Sequence, residues 1–302
     1  MKRLRKILLV VVGLLLLGYA TLLRGAPVPS DCSFHLDAKE LRAKAAEKPG
    51  ALPTELRVEH VASIEFPEAI VVTGGAFKMS SMDMYAYQLV YPDHTVVLDT
   101  ALTAEQGKEM LAGGYHADAW TRVEAGMRAA SEIYVTHEHG DHLGGLASIL
   151  SSTSAIAHAR LTKEQLEHPE RLYPVKLPEA AKAALHGIEY KDLYAAGPGL
   201  VLVKAPGHTP GSQFFFIRLE NGKELLLMGD TAWHVENIDE VAGPPRLLSW
   251  TMLHNDREAN ACQLLAAKEF GKAEPTIGIM PGHDARRMDA LIAGGYLSRT
   301  FR

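Results

Sequence analysis

The sequence predicts an α/β fold made of two strand-rich halves, each followed by helices. Three observations carry that reading. Short apolar, β-branched runs bounded by turn residues recur from Leu56 onward. Helix-like stretches separate them at Ala104 to Leu111, Asp118 to Ala130 and Asp256 to Phe270. Four strand ends, drawn from both halves, carry a histidine or aspartate beside glycine.

The chain has 302 residues, 47% of them apolar and 22% charged, which is enough to bury a sizeable core. The net charge of −5 and the lack of a basic run beyond the first six residues argue against a nucleic-acid partner.

Met1-Lys2-Arg3-Leu4-Arg5-Lys6 is a basic cap on an apolar stretch from Ile7 to Leu23, ended by Arg24. A helix of that length rises about 25 Å, within the range of a membrane span. The positive flank keeps the N-terminal end in the cytoplasm and sends the rest outward. A cleaved signal peptide competes with an uncleaved anchor. Gly18-Tyr19-Ala20 offers a weak cleavage site, whereas Thr21-Leu22-Leu23 continues the apolar run and favours the anchor. Either way the main domain lies outside the cytoplasm, periplasmic or extracellular when anchored and secreted when cleaved. Residues 1–26 form this segment, 27–55 a linker with a short helix from Phe34 to Lys48, and 56–302 the main domain.

Within that domain Leu56 to Ile64, Ala69 to Thr73, Tyr85 to Tyr91 and Thr95 to Leu98 read as strands, with Pro92-Asp93-His94 as a turn. Glu132 to Val135 reads as a buried strand, and Leu146 to Leu150 as the body of a short helix. A polar, helical insertion spans roughly Leu161 to Gly187. The histidines in and beside it, His158, His168 and His186, read as surface or structural groups. Leu200 to Lys204, Gln213 to Leu219 and Leu225 to Met228 are strand-like, with Asn221-Gly222 as a hairpin turn. Asn255 and Glu258 suggest a capping box for the Asp256 to Phe270 helix, Gly271 its stop, and Thr276 to Met280 the last strand. Cys32 and Cys262 are the only cysteines. Cys262 reads as a buried small hydrophobe; an oxidising compartment would allow a disulfide, but sequence cannot pair them.

Thr136-His137-Glu138-His139-Gly140-Asp141-His142 packs three histidines and an aspartate onto a strand-to-helix turn. Alternate side chains of an extended segment face one way, so His137 and His139 can grip one ion. Asp141 and His142, where the chain turns into the helix, point elsewhere and can serve a second. A solvated histidine-rich turn is the plain alternative. Against it stand three further segments: Gly207-His208-Thr209-Pro210-Gly211, Gly229-Asp230 and Gly282-His283-Asp284. Together they offer five histidines and two aspartates, a ligand set suited to zinc, iron or manganese.

His137-x-His139-x-Asp141-His142, followed by His208, Asp230 and His283, resembles the metallo-β-lactamase superfamily of metallohydrolases over about residues 57 to 290. The resemblance implies an αβ/βα four-layer sandwich, two sheets packed face to face with helices outside, and the insertion covering the site. It implies His137, His139 and His208 on a first metal, Asp141, His142 and His283 on a second, and Asp230 bridging. Two divalent ions, Zn2+ before Fe or Mn, would hold a hydroxide that attacks an ester-like carbonyl of a small molecule. Asp141 or Asp230 would carry the proton to the leaving group. Asp99 matches a family position that supports a ligand histidine from behind; an N-cap for the helix near Thr103 is the alternative.

Quorum-quenching lactonases of the family are the nearest resemblance, with 53 residues between Asp230 and His283 and a Gly282-His283-Asp284 ending. Those lactonases tend to carry a tyrosine three residues after the bridging aspartate. Here that residue is Trp233, with only an indole N–H to offer, and His234 is a substitute donor or a structural group. Glyoxalase II-like thioester hydrolases are the alternative, but they carry a C-terminal helical domain for which the 19 residues after His283 leave no room. A membrane-tethered, non-catalytic metal-binding module is a third reading.

Overall fold

The computed structural model describes residues 2–302. Met1, first residue of the basic cap, lies outside the described residues. Helix α1 (Lys2–Gly18) continues as a π-helical turn, Tyr19–Leu23, and residues 3–23 are long and apolar enough to cross a membrane, with the side chains of residues 3–17 exposed. Helix α2 (Ala38–Ala45) is capped by Asp37, whose carboxylate accepts from the Lys39 and Glu40 amides. It is shorter than the Phe34 to Lys48 expectation.

The first half runs β1 (Glu55–Pro67), α3 (Glu68–Val71), β2 (Met79–Val90), β3 (Thr95–Thr100), α4 (Ala104–Glu109), α5 (Ala117–Ala129), β4 (Glu132–Tyr134) and α6 (Gly140–Ile149). After α7 (Thr153–His158) the insertion contributes α8 (Lys163–Glu167) and α9 (Glu179–Ala184). The second half runs β5 (Leu193–Gly197), β6 (Leu200–Lys204), β7 (Gln213–Arg218), β8 (Glu224–Leu227), α10 (Val235–Asp239), α11 (Arg246–Leu248), α12 (Arg257–Ala273), β9 (Ile277–Met280), α13 (Ala285–Ala293) and β10 (Ser298–Arg299).

Two five-stranded sheets result, in the orders β10-β1-β2-β3-β4 and β5-β6-β7-β8-β9. They pack face to face through Leu56, Tyr87 and Leu98 of the first and Leu202, Phe215 and Leu227 of the second. Strand β7 shows why its run Phe214-Phe215-Phe216-Ile217 is unbroken by polar residues. Phe215 and Ile217 face the opposing sheet, while Phe214 and Phe216 face Leu41 of α2 and Leu264 of α12. Helices α5 and α6 cover the outer face of the first sheet, with Val123, Met127 and Leu146 in its core. This is the four-layer αβ/βα sandwich.

Several local readings need correction. Ala69 to Thr73 is not a strand: β1 runs on to Pro67, and Glu68–Val71 is a single helical turn. The Glu68 and Ala69 amides bond across to the Lys78 and Ala76 carbonyls, while Val71 and Val72 pack on Trp233 and Leu253, so tertiary burial explains the β-branched residues. Helix α6 starts at Gly140, not after the glycines. Gly145 lies inside it because the helix presses on β3: a Cβ there would sit 2.2 Å from the Thr100 carbonyl oxygen. The cap of α12 is Asp256, which accepts from the Glu258 and Ala259 amides, rather than Asn255. Gly271 does not stop α12, which continues to Ala273; it lets the helix approach Ile279 of β9.

Cys262 is buried on α12 as expected, but it is bonded to Cys32 across 230 residues. Spacing held no sign of the pair because α2 and its flanks must first dock on the second sheet. A bond that closes so long a loop takes conformational freedom away from the unfolded chain. Cys32→Ala with Cys262→Ala should therefore lose about 2–4 kcal/mol of stability, read as a lower urea midpoint with a steeper slope, since the uncrosslinked chain exposes more surface when it unfolds. An unchanged midpoint would show that the docking of α2 suffices.

Candidate metal centre

Asp99, next to last in strand β3, lies in the left-handed region (φ 53°), a strained backbone for an aspartate. Its carboxylate accepts from the Thr136 amide (2.6 Å) and hydroxyl, and from His142 Nδ1 at 2.9 Å. That bond calls for a proton on Nδ1, so Nε2 is the atom with which His142 would bind a metal. The N-cap alternative fails: Thr103 itself caps α4, with Gln106 completing the box. His283 is oriented in the same way, Nδ1 donating to the Asp83 carbonyl at 2.8 Å. For His137 the partner of Nδ1 is the Thr136 hydroxyl at 3.1 Å.

Strand β4 ends at Tyr134, the chain bends through 136–139, and α6 begins at Gly140, so His137 and His139 precede the helix while Asp141 and His142 lie in its first turn. His137, His139, His208 and Asp230 form one group of donor atoms, and Asp141, His142, His283 and Asp230 a second, all within 4.8 Å of one another in each. In the first, His139 Nδ1 lies 3.1 Å from His137 Nε2 and 3.0 Å from His208 Nε2. Asp230 Oδ2 is 3.5 Å from His208 Nε2 and 3.8 Å from His137 Nε2. In the second, Asp230 Oδ1 is 3.0 Å from both His142 Nε2 and His283 Nε2, and Asp141 Oδ2 is 3.7 and 3.6 Å from them. Asp230 thus faces one group with each oxygen.

Would cations fit? Buried ring nitrogens converge on one another, and each neutral imidazole has only one proton to share. His142 Nε2 and Asp230 Oδ1 are buried without a hydrogen-bond partner, since their 3.0 Å approach is out of line for one. Such orphaned groups are costly unless something of opposite charge satisfies them. A tetrahedral ion with 2.0–2.1 Å bonds needs donors about 3.3 Å apart, close to the separations found. The donor set fits two divalent cations.

Electrostatics differ between the groups. Burial pushes His137 and His208 well below the usual histidine range and His139 down to about 4, so all three are neutral at pH 7. Burial acts on His142 and His283 too, but Asp230 and Asp141 outweigh it and hold both above the ordinary value. Burial would raise Asp230; His283, His142 and His137 instead keep it well below the carboxylate range.

The indole N–H of Trp233 is committed to Asp230 Oδ2 at 2.9 Å. His234 turns away: its Nε2 lies 2.9 Å from the Ser81 carbonyl and its Nδ1 3.5 Å from the Ser80 hydroxyl. Two residues escaped sequence reasoning. Buried Glu138 accepts from the Thr209 hydroxyl (2.7 Å) and the Gly211 amide (3.1 Å), tying the His137–His139 turn to the His208 loop. A glutamate between two ligand histidines at the end of a strand was the available signal. Asp284 accepts from the Val235 and Arg287 amides and fixes the loop after Asp230 against that of His283. The insertion packs on the ligand turn at Gly140, beside the Tyr173 carbonyl.

Removing the carboxylate behind His142 tests this scaffold: Asp99→Ala should weaken metal affinity about 10–100-fold, measured by competition with a chromogenic chelator. Unaltered affinity would mean that packing alone orients His142.

The donor atoms open into a cavity of about 560 Å³ walled by Ile64, Phe66, Met82, Met84, Trp233 and Leu253, with Arg171 and Tyr173 at its side. Fold and donor set together define a metal-dependent α/β-sandwich protein. The profile of the metallo-beta-lactamase superfamily matches residues 84–283, and the chain belongs to that superfamily. N-acyl homoserine lactonase AiiA of Bacillus thuringiensis subsp. kurstaki is 30% identical over 108 residues, 36% of this chain and 41% of that one. N-acyl homoserine lactonase AttM of Agrobacterium fabrum is 43% identical over 61 residues, 20% of this chain and 23% of its own. The matches thus span less than half the length of these relatives. A solved quorum-quenching N-acyl homoserine lactone lactonase superposes with a TM-score of 0.62 at 21% identity, over 80% of this chain and 97% of that one. AidC, a dizinc quorum-quenching lactonase, does so with 0.53 at 16%, over 79% and 90%. At such identities the likeness is one of fold.

Proposed function

We propose that the protein is a two-metal hydrolase of an ester-like bond, and that its substrate is a lactone. The observation that carries the reading is Asp230, shared by two donor groups at the floor of an apolar cavity. His137, His139 and His208 would hold one ion, Asp141, His142 and His283 the other, and Asp230 both; zinc is the metal we favour for this ligand set. When bound, the ions supply Lewis acidity and a water deprotonated near neutral pH. The chain's own groups do the rest. The apolar wall orients the acyl part of the substrate and excludes water. Asp141 lines the cavity, where its carboxylate can pass a proton to the leaving oxygen. Trp233 holds Asp230 in place through its N–H rather than touching the carbonyl.

We assign residues 1–26 to a membrane anchor, 27–55 to the linker and short helix, and 56–302 to the hydrolase domain, with the domain outside the cytoplasm. The Cys32–Cys262 bond supports that side, since disulfides persist in oxidising compartments. The test is turnover by the detergent-solubilised, zinc-loaded full chain of N-acyl homoserine lactones, S-acyl glutathiones and β-lactams. The lactones should give the highest kcat/KM by at least about tenfold, or 1.4 kcal/mol. A thioester preference would replace lactone with the glyoxalase II-like reading. Two bound metals without any turnover would favour the non-catalytic module.

A further inference from the structure

Large apolar side chains stand in water on the segments that line this cavity: Phe77 is 88% exposed, Leu111 84%, Tyr173 74%, Trp250 58%, Met79 57% and Met252 52%. They come from separate parts of the chain. Phe77 lies on the arm joining β1 to β2 and Met79 opens β2, while Trp250 and Met252 lie on the π-helical turn Ser249–Leu253 after α11. Leu111 follows α4, and Tyr173 belongs to the insertion. Leu111, Tyr173 and Met252 also line the cavity itself. One buried cluster of Val71, Val72, Trp233 and Leu253, with Phe66 and Leu248 against it, joins the arm to the π-helical turn, so the two are held as one surface. Exposed apolar residues concentrated in one place mark an interaction site, whereas scattered ones do not.

The N-terminal helix shows what that surface meets. Its last turn, Tyr19–Leu23, packs against α11. The chain leaving it is fixed to the domain at three points. The Arg24 carbonyl accepts from the Arg257 guanidinium at 2.8 Å, Gly25 abuts Thr73 of the arm, and Ala26 and Pro27 share a hollow with Trp250. The apolar helix therefore leaves the domain between the two segments that carry Phe77 and Trp250. Arg246 lies over the Trp250 ring at 5.6 Å, the pairing of cation and aromatic found where protein meets lipid headgroups.

We propose that the rim of the cavity is a membrane-docking surface, seated in the headgroup region of the bilayer that the N-terminal helix enters, so that the site takes an amphiphilic ester or lactone from the membrane. The proposal rests on reading residues 3–23 as an anchor. It gives the apolar wall a purpose: the acyl chain of the substrate passes from lipid to protein without crossing water.

The experiment reconstitutes the full chain into phosphatidylcholine vesicles with brominated acyl chains, which quench tryptophan at the depth interfacial aromatics reach, about 5–10 Å into the headgroup–acyl boundary. Trp120 and Trp233 are common to wild type and Trp250→Phe, so their difference reports Trp250. Quenching of about half or more of that difference emission, as expected for a tryptophan at the lipid interface, supports the proposal. Retention of the chain through alkaline carbonate washing with Trp250 unquenched overturns it while leaving the anchor intact. Loss of the chain on washing overturns the anchor reading and the proposal with it. A second arm compares a short, water-soluble lactone with a long-chain lactone carried in the vesicles. Phe77→Ser with Trp250→Ser, neither of which lines the cavity, should lower the rate on the vesicle-borne substrate about tenfold and leave the soluble one unchanged. Equal effects on both overturn the proposal. Absence of turnover of either lactone by wild type counts against the lactonase reading, and the quenching result then stands alone.

Discussion

Asp230→Asn is expected to lower kcat/KM by about a thousandfold or more, with the fold retained. The substitution keeps the shape of the side chain and removes one charge and one acceptor. Oδ2 accepts from Trp233 Nε1 at 2.9 Å, and Oδ1 lies 3.0 Å from His142 Nε2 and His283 Nε2. An amide must turn its NH2 toward one side. Facing Trp233 it sets donor against donor; facing the two imidazoles it occupies the lone pairs that a second ion would use. Either choice disables one donor group. Metal-assisted stabilisation of transition-state charge is worth several kcal/mol, and each 1.36 kcal/mol is tenfold in rate. Metal content should fall from two ions toward one in the same preparation. Adding His139→Ala should take the remaining activity to background, with less effect than the two single losses summed, because both serve one assembly. Turnover unchanged in the double variant would refute two-metal hydrolysis outright.

The parts of this centre legible in the sequence are those governed by short-range geometry. His137, His139, Asp141 and His142 fall into two groups because a helix begins at Gly140, so the first pair precedes it and the second pair lies in its first turn. Gln213 to Leu219 reads as a strand from its apolar run, and the structure shows that Phe214 to Ile217 are buried on both faces. What lay hidden depends on contacts across the chain. The Val71-Val72 pair reads as a strand by composition and is a helical turn because Trp233 and Leu253 lie above it. Trp233 could be recognised as a departure from tyrosine, but only the fold shows its N–H taken up by Asp230. Glu138 looked like a spacer between ligands and is the tie between two loops 71 and 73 residues apart. Cys32 and Cys262 share the same history, since a pairing is a statement about tertiary structure.

Metal removal should expose how unequal the two donor groups are. Stripping the ions leaves converging ring nitrogens and an anionic Asp230 buried together, and it also removes the linkage energy of binding. With free metal at about 1,000 times its Kd, that linkage is about 4 kcal/mol, and at about 2–4 °C per kcal/mol for a domain of this size Tm should fall by about 8–16 °C. Chelation without a shift in Tm would mean that the centre binds metal weakly or not at all. The order of reloading follows from protonation. In the metal-free protein burial keeps His137, His139 and His208 neutral, so their lone pairs are free at every pH from 6 to 8. His142 and His283 are held above the ordinary histidine value by Asp230 and Asp141 despite their burial, and a protonated ring cannot coordinate. Raising the pH removes those protons, lowering it restores them, and an entering cation must displace whichever remain. One site's affinity should therefore be nearly flat across this range, while the other's rises with pH by about tenfold per unit for each proton displaced. Stepwise calorimetric titration at pH 6, 7 and 8, in two buffers of different ionisation enthalpy, reads both slopes and counts the protons. Parallel slopes at the two sites would show that Asp230 does not divide the centre into a proton-free half and a proton-bearing half.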